Sequence, residues 1–154
     1  MAENSEIIEV LNDLILINND RVEGYQKSFD ETDASDSDLR TLYNKLADDS
    51  RQFSSELSSE VTSLGGEPAT GTMLSGKIYR TWMDVRSAFS SNGRQTSLDN
   101  SEFGEDAAQK AYETALKSDN LTADLRSLII KQQATLKIGH DTIKRLRDAE
   151  KVAQ

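Results

Sequence analysis

The stretch 101-SEFGEDAAQKAYETAL-116 decides how this chain folds. Its Ala, Glu, Gln and Lys residues are good helix formers, and Ala108, Tyr112, Ala115 and Leu116 recur at the three- and four-residue spacing of one helical face. Glu105 falls on that same face, two turns before Tyr112. A carboxylate on the inward side of a helix is a metal ligand, a catalytic acid or base, or a polar group paired inside a bundle. The rest of the chain has to choose among these.

Moving outward, Leu98 extends the face backwards to the turn signal SSNGRQT (90–96), and KSDNLT (117–122) ends it. A further helix follows with Leu125, Leu128, Ile129, Leu136, Ile143 and Leu146. On the N-terminal side, Ile7, Leu11, Leu14, Ile15, Val22, Tyr25 and Phe29 trace a first helix. The acidic, serine-rich DETDASDSD (30–38) breaks it with turn and N-cap oxygens; it lacks the glycine and terminal glutamate of an EF-hand loop. Leu39, Leu42, Tyr43, Leu46, Phe53, Leu57, Val61 and Leu64 mark a second helix, which Gly65-Gly66 and Pro68 stop. A shorter apolar face, Ile78, Trp82, Val85 and Phe89, lies in the long connection after it.

Composition agrees with an all-α chain. Of 154 residues, 36% are hydrophobic, 6% aromatic and 29% charged, with one proline. The formal net charge of −9 disfavours nucleic acid, whose phosphates need a Lys/Arg surface, and anionic membranes as partners. The absence of cysteine excludes disulfides, thiolate chemistry and Cys-based metal sites. The start MAENSEIIEV carries no signal-peptide pattern, and VLNDLILI (10–17) is too short to span a bilayer, so a soluble cytoplasmic protein is expected.

DLRTL (38–42) opens the second helix and DLRSL (124–128) the last, and Tyr25 and Tyr112 occupy matching places in the helices before them. This is a weak duplication of a helical hairpin. Two hairpins with one long crossover make a ferritin-like four-helix bundle, here a single domain over 1–154: hairpin 5–65, crossover with a short helix 66–96, hairpin 97–150.

Several stretches carry a resemblance to a known family. VLNDLILINNDRVEGY (10–25), SRQFSSEL (50–57), LGGEPAT (64–70), WMD (82–84), GEDAAQKAY (104–112) and LRD (146–148) resemble the bacterial ferritin-like four-helix-bundle family labelled a domain of unknown function. The resemblance covers nearly the whole chain. It implies the bundle fold and no established activity.

Ferritin-like bundles can carry a di-iron centre, with one Glu from each of two helices and Glu-x-x-His from each of the others. In that class a Tyr commonly follows the single Glu seven residues later. Glu105 fits that slot before Tyr112, but Asn18 stands in the equivalent slot before Tyr25. The inward i,i+3 pairs of the second and last helices are Ser50 with Phe53 and Leu136 with Gly139. A one-residue shift brings His140 in, but with Lys137 where a carboxylate belongs. No cofactor, no catalytic residue and no metal site are therefore expected; Glu105 and His140 are the ligands if there is one. Instead Asn18, Glu105 and Gln132 should form a buried polar cluster, with Asn18 and Glu105 as mutual partners and tyrosine hydroxyls, Arg21 or Lys137 as further candidates. On the Asn18 pairing, Glu105→Gln holds or raises stability, and Glu105→Ala costs roughly 2–4 kcal/mol.

The functional expectation is a non-enzymatic structural, interaction or stress-related bundle. It self-associates as a homodimer through apolar residues of the crossover (Tyr79, Trp82, Met83, Phe89). The alternatives are a metal-dependent oxidase or iron-handling protein, and a small-molecule carrier using the bundle core.

Overall fold

The computed structural model describes residues 2–71 and 93–153. Four helices account for nearly all of them: α1 (Ala2–Glu31), α2 (Ser37–Ser63), α3 (Gly93–Leu116) and α4 (Ala123–Ala153). Among the described residues there is no strand, and none of their helices is long and apolar enough to cross a membrane. The chain is an all-α, ferritin-like four-helix bundle. The short helix expected around Trp82 lies outside the described residues.

Two hairpins, α1–α2 and α3–α4, pack together chiefly through α1 on α3. Within each hairpin the helices are antiparallel. Across them, α1 residues 18 and 25 meet α3 residues 112 and 105 in reverse order. The first two helices therefore run up and down, and the second two also run down and up, so α2 and α3 are parallel. The end of α2 packs with Ile7, and Leu98 near the start of α3 packs with Tyr25 at the opposite pole. Only a connection as long as the bundle can join them, which is why the crossover is long.

Local chemistry sets the helix ends. At the end of α2, Gly65 takes φ +85°. Its N–H donates to the Thr62 carbonyl and the Gly66 N–H to the Val61 carbonyl, both at 3.0 Å, a Schellman cap. The chain then turns back along α1. Asn12 holds it by accepting from the Ala69 N–H (2.8 Å) and donating to the Glu67 carbonyl (3.2 Å). Asn19 donates to the Gly71 carbonyl (2.7 Å). Before α2, the Asp33 carboxylate accepts from the backbone N–H and hydroxyl of Ser35, which holds it below the usual carboxylate range.

The duplicated Asp-Leu-Arg has a common task. Arg40 stacks 4.4 Å from the ring centre of Phe29, near the end of α1. Arg126 donates to the Leu116 and Ser118 carbonyls at the end of α3 (2.7 and 2.8 Å). In both hairpins an arginine in the opening turn of the second helix ties back to the close of the first. The Thr122 hydroxyl caps α4 at the Leu125 N–H (3.2 Å).

One boundary and one buried face differ from the reading of the sequence. α3 starts at Gly93, inside the stretch read as a turn, because Arg94 and Gln95 favour helix and a glycine costs little at a helix end. On α1, Val22 and Phe29 are only half-buried, whereas Ile17 and Arg21 are buried. The core forms two apolar clusters. One holds Leu11, Leu14, Leu57, Val61, Tyr112 and Ile129; the other holds Tyr25, Leu39, Tyr43, Leu46, Leu98 and Ile143. Between them lies a polar layer.

Candidate functional site

The polar layer is built from Asn18, Arg21, Ser50, Glu105 and Gln132, all at most 2% exposed, with Tyr25 and Tyr112 at its edges. Asn18, Arg21 and Tyr25 are spaced i, i+3, i+7, so α1 presents all three on one face. Ser50 comes from α2, Glu105 and Tyr112 from α3, and Gln132 from α4.

At its centre is an ion pair. Arg21 Nε donates to Glu105 Oε1 at 2.7 Å, and Arg21 Nη2 reaches the same oxygen. The Tyr25 hydroxyl donates to it as well, at 2.7 Å. The guanidinium lies 5.3 Å from the centre of the Tyr25 ring, and its Nη1 donates to the Ser50 hydroxyl. The network continues outward. Ser50 donates to Asn18 Oδ1 (2.9 Å), Asn18 donates to the Tyr112 hydroxyl (2.8 Å), and Tyr112 donates to Gln132 Oε1 (2.7 Å). Gln132 in turn donates to half-buried Glu56 at 3.1 Å.

Asn18, Glu105 and Gln132 are thus joined in one network, but Asn18 and Glu105 are not direct partners. Arg21, one turn beyond Asn18, brings a full charge to the carboxylate. Asn18 is occupied by Ser50, Tyr112 and the Leu14 carbonyl. The expectation that Glu105→Gln is harmless falls with that pairing, because the variant leaves a buried guanidinium without its counter-charge.

The charges are fixed by their surroundings. Burial pulls the Arg21 pKa down, but the adjacent Glu105 outweighs it and leaves it raised, so the group stays protonated. Burial, reinforced by Glu105, pushes the Tyr25 phenol well up; burial also raises Tyr112. Both tyrosines keep their protons at any ordinary pH and act as donors.

Gly139 of α4 packs beside this layer. A Cβ there would lie 2.8 Å from Leu46 Cδ2, 3.5 Å from Glu105 Oε2 and 3.8 Å from Arg21 Nη2. The glycine makes room for the ion pair. Glu105 Oε2 is buried and has no hydrogen-bond partner among the described residues.

His140 sits outside the layer and is 19% exposed. Its Nε2 lies 2.6 Å from Asp106 Oδ1 and its Nδ1 3.2 Å from Asp141 Oδ1. Burial lowers the imidazole pKa, but the bonds to Asp141 and Asp106 outweigh it and leave the value raised. Lys137 is exposed and pairs with Asp141. Ser50, Phe53, Leu136 and Gly139 all point inward. Among the described residues, no three His, Cys, Asp or Glu side chains gather closely enough to hold a metal ion.

Sequence reasoning gave Arg21 only a marginal part and missed Glu56 altogether. The available signal for Arg21 was its spacing: a cation three residues after Asn18 and four before Tyr25 shares their inward face, opposite an inward glutamate.

Comparison with known proteins agrees with the fold. The model of a family described as Domain of unknown function (DUF2383) matches residues 6–118. The crystal structure of a ferritin-like, diiron-carboxylate protein from Bacillus anthracis str. Ames matches with a TM-score of 0.70 at 16% identity, over 97% of this chain and 98% of that one. No curated protein matches.

Proposed function

The chain belongs to the family described as Domain of unknown function (DUF2383), and from that premise we propose that it is a non-enzymatic ferritin-like bundle whose metal layer has become a permanent ion pair. It serves as a structural or interaction module, stress-related in its setting, and works as a homodimer in the cytoplasm without nucleic acid or membrane partners.

One observation carries the reading: the Arg21 guanidinium occupies the middle of the layer, bonded to Glu105 Oε1 and to Ser50. The similar Bacillus anthracis protein is described as diiron-carboxylate, but the donors here do not suit such a centre. Among the described residues Glu105 is the one fully buried carboxylate of the layer itself, and three donors already engage one of its oxygens. Asn18, Ser50 and Gly139 supply no anionic ligand. A fixed cation repels any metal ion brought near it, by several kcal/mol in a low-dielectric interior. No step of metal chemistry is assigned to these residues.

The test is elemental analysis and calorimetry with ferrous iron, manganese and zinc on the purified protein. Less than a tenth of an equivalent per chain is expected, with no rise in melting temperature. Two tightly held metal ions per chain would overturn the reading. Dimerisation rests on the apolar crossover residues Tyr79, Trp82, Met83 and Phe89. Light scattering at high micromolar concentration tests it, and a clean monomer removes it.

A further inference from the structure

A crevice of about 130 Å3 opens between α2 and α4, and Gly139 forms part of its lining. Leu42, Leu46 and Ile138 make its walls apolar. Its polar residues are occupied elsewhere. The Thr142 hydroxyl donates to the Ile138 carbonyl (2.8 Å), the Thr135 hydroxyl to the Lys131 carbonyl (3.3 Å), and Lys45 pairs with Asp49 (2.9 Å).

Gly139 is where this crevice meets the polar layer. It has no side chain, and the missing Cβ position lies 3.5 Å from Glu105 Oε2, the buried oxygen without a donor among the described residues. A buried acceptor left unmatched is unfavourable, so a donor that reached it from the crevice would be bound more tightly than the same molecule without one. Leu46, which lines the crevice, is the side chain nearest to that Cβ position, at 2.8 Å. A hydroxyl that reaches Oε2 therefore requires Leu46 to change rotamer.

We infer that the crevice binds a small neutral hydroxylic molecule with an apolar body, whose hydroxyl donates to Glu105 Oε2 past Gly139 and Leu46. Size follows from the volume: the crevice, at about 130 Å3 and open on one side, is close to the roughly 150 Å3 apolar cavity that holds a benzene ring. The apolar body follows from the walls. Neutrality follows from the ion pair, since Arg21 already balances Glu105. An ammonium would crowd the guanidinium, whose Nη2 is 3.8 Å from the same point, and an anion would meet the carboxylate. This goes beyond the metal question and rests on the Arg21–Glu105 pair proposed above.

Phenol and toluene, matched in size and differing in the donor, are the probes. Each is titrated into the 15N-labelled full chain. Phenol should shift the amides of Leu46, Gly139 and Thr142, and toluene should bind at least tenfold more weakly. Thr135→Phe, which fills the crevice mouth from outside the core, should weaken phenol tenfold or more while leaving the melting temperature within a few degrees. If that variant folds poorly, Thr142→Leu serves the same purpose. Equal binding of the two probes, shifts confined to other parts of the bundle, phenol binding unaffected by the filling variant, or no phenol binding at millimolar concentration would each overturn the proposal. Metal analysis tests the ion pair separately, so a failure of that reading is told apart from a failure of phenol to bind.

Discussion

Replacing Glu105 by Gln tests the ion pair with the smallest change of shape. Glutamine keeps the length of the side chain and an oxygen for Arg21 and Tyr25, so the substitution removes charge and little else. At the 2.7 Å separation of Arg21 Nε and Oε1, two unit charges attract by about 6 kcal/mol at an effective dielectric of 20. Much of that offsets the cost of drying both groups, and an intact buried pair adds little net stability. Breaking it is different, because the buried guanidinium then has no counter-charge, and such losses run to about 3–5 kcal/mol. A domain of this kind holds roughly 5–15 kcal/mol in total, so the variant folds but with a large deficit. Arg21→Met, which strands the carboxylate instead, should cost a similar amount. The double variant Arg21→Met/Glu105→Gln removes both charges and should recover at least 3 kcal/mol of the summed losses, since residues in direct contact do not behave additively. Urea melts followed by circular dichroism, with equal slopes for all four proteins, measure each term. A Glu105→Gln protein within 1 kcal/mol of the parent, or a double variant that simply adds the two single losses, would refute the argument.

Three other outcomes follow from the geometry. Gly139→Ala puts a Cβ 2.8 Å from Leu46 Cδ2, so Leu46 must shift and stability should fall by about 1–3 kcal/mol in the same melts. Gly65→Ala meets no atom within 4 Å but must adopt φ +85°, so its loss of about 1–2 kcal/mol, read from the urea midpoint, is purely backbone strain. His140 has its folded-state pKa raised, so its contribution to stability is fully present below about pH 6.5 and is lost as pH rises through the folded value. NMR titration should place its midpoint above 6.5, and Asp106→Asn should bring the midpoint down.

The bundle was legible because its signals are periodic and repeated. Leu11, Leu14, Leu57, Val61 and Ile129 each lie at helical spacing from apolar neighbours, and Asp-Leu-Arg marks the same point in both hairpins. Helix phase also turned Asn18, Glu105 and Gln132 inward. Phase says which face a residue shares, but not which of several polar groups on facing helices will bond. Asn18 and Arg21 are one turn apart on α1, and only packing decides that the guanidinium rather than the amide meets Glu105. Arginine is the hardest case, because its long stem can either carry the charge to solvent or, as here, fold it into the core. The start of α3 was missed for a simpler reason: Asn92-Gly93 is a strong turn signal that the helix overrode from its second residue.

The cation of this bundle is covalently attached to the chain. A metallated relative of the same shape must capture its ions after synthesis, competes for them with every other protein, and surrenders them to a chelator or to acid. Arg21 arrives with translation, cannot be exchanged or oxidised, and holds its charge across the whole biological pH range. On the ion-pair reading proposed above, assembly of the layer is a unimolecular event whose yield does not depend on metal supply. The bundle should reach the same state in starved and metal-replete cells alike.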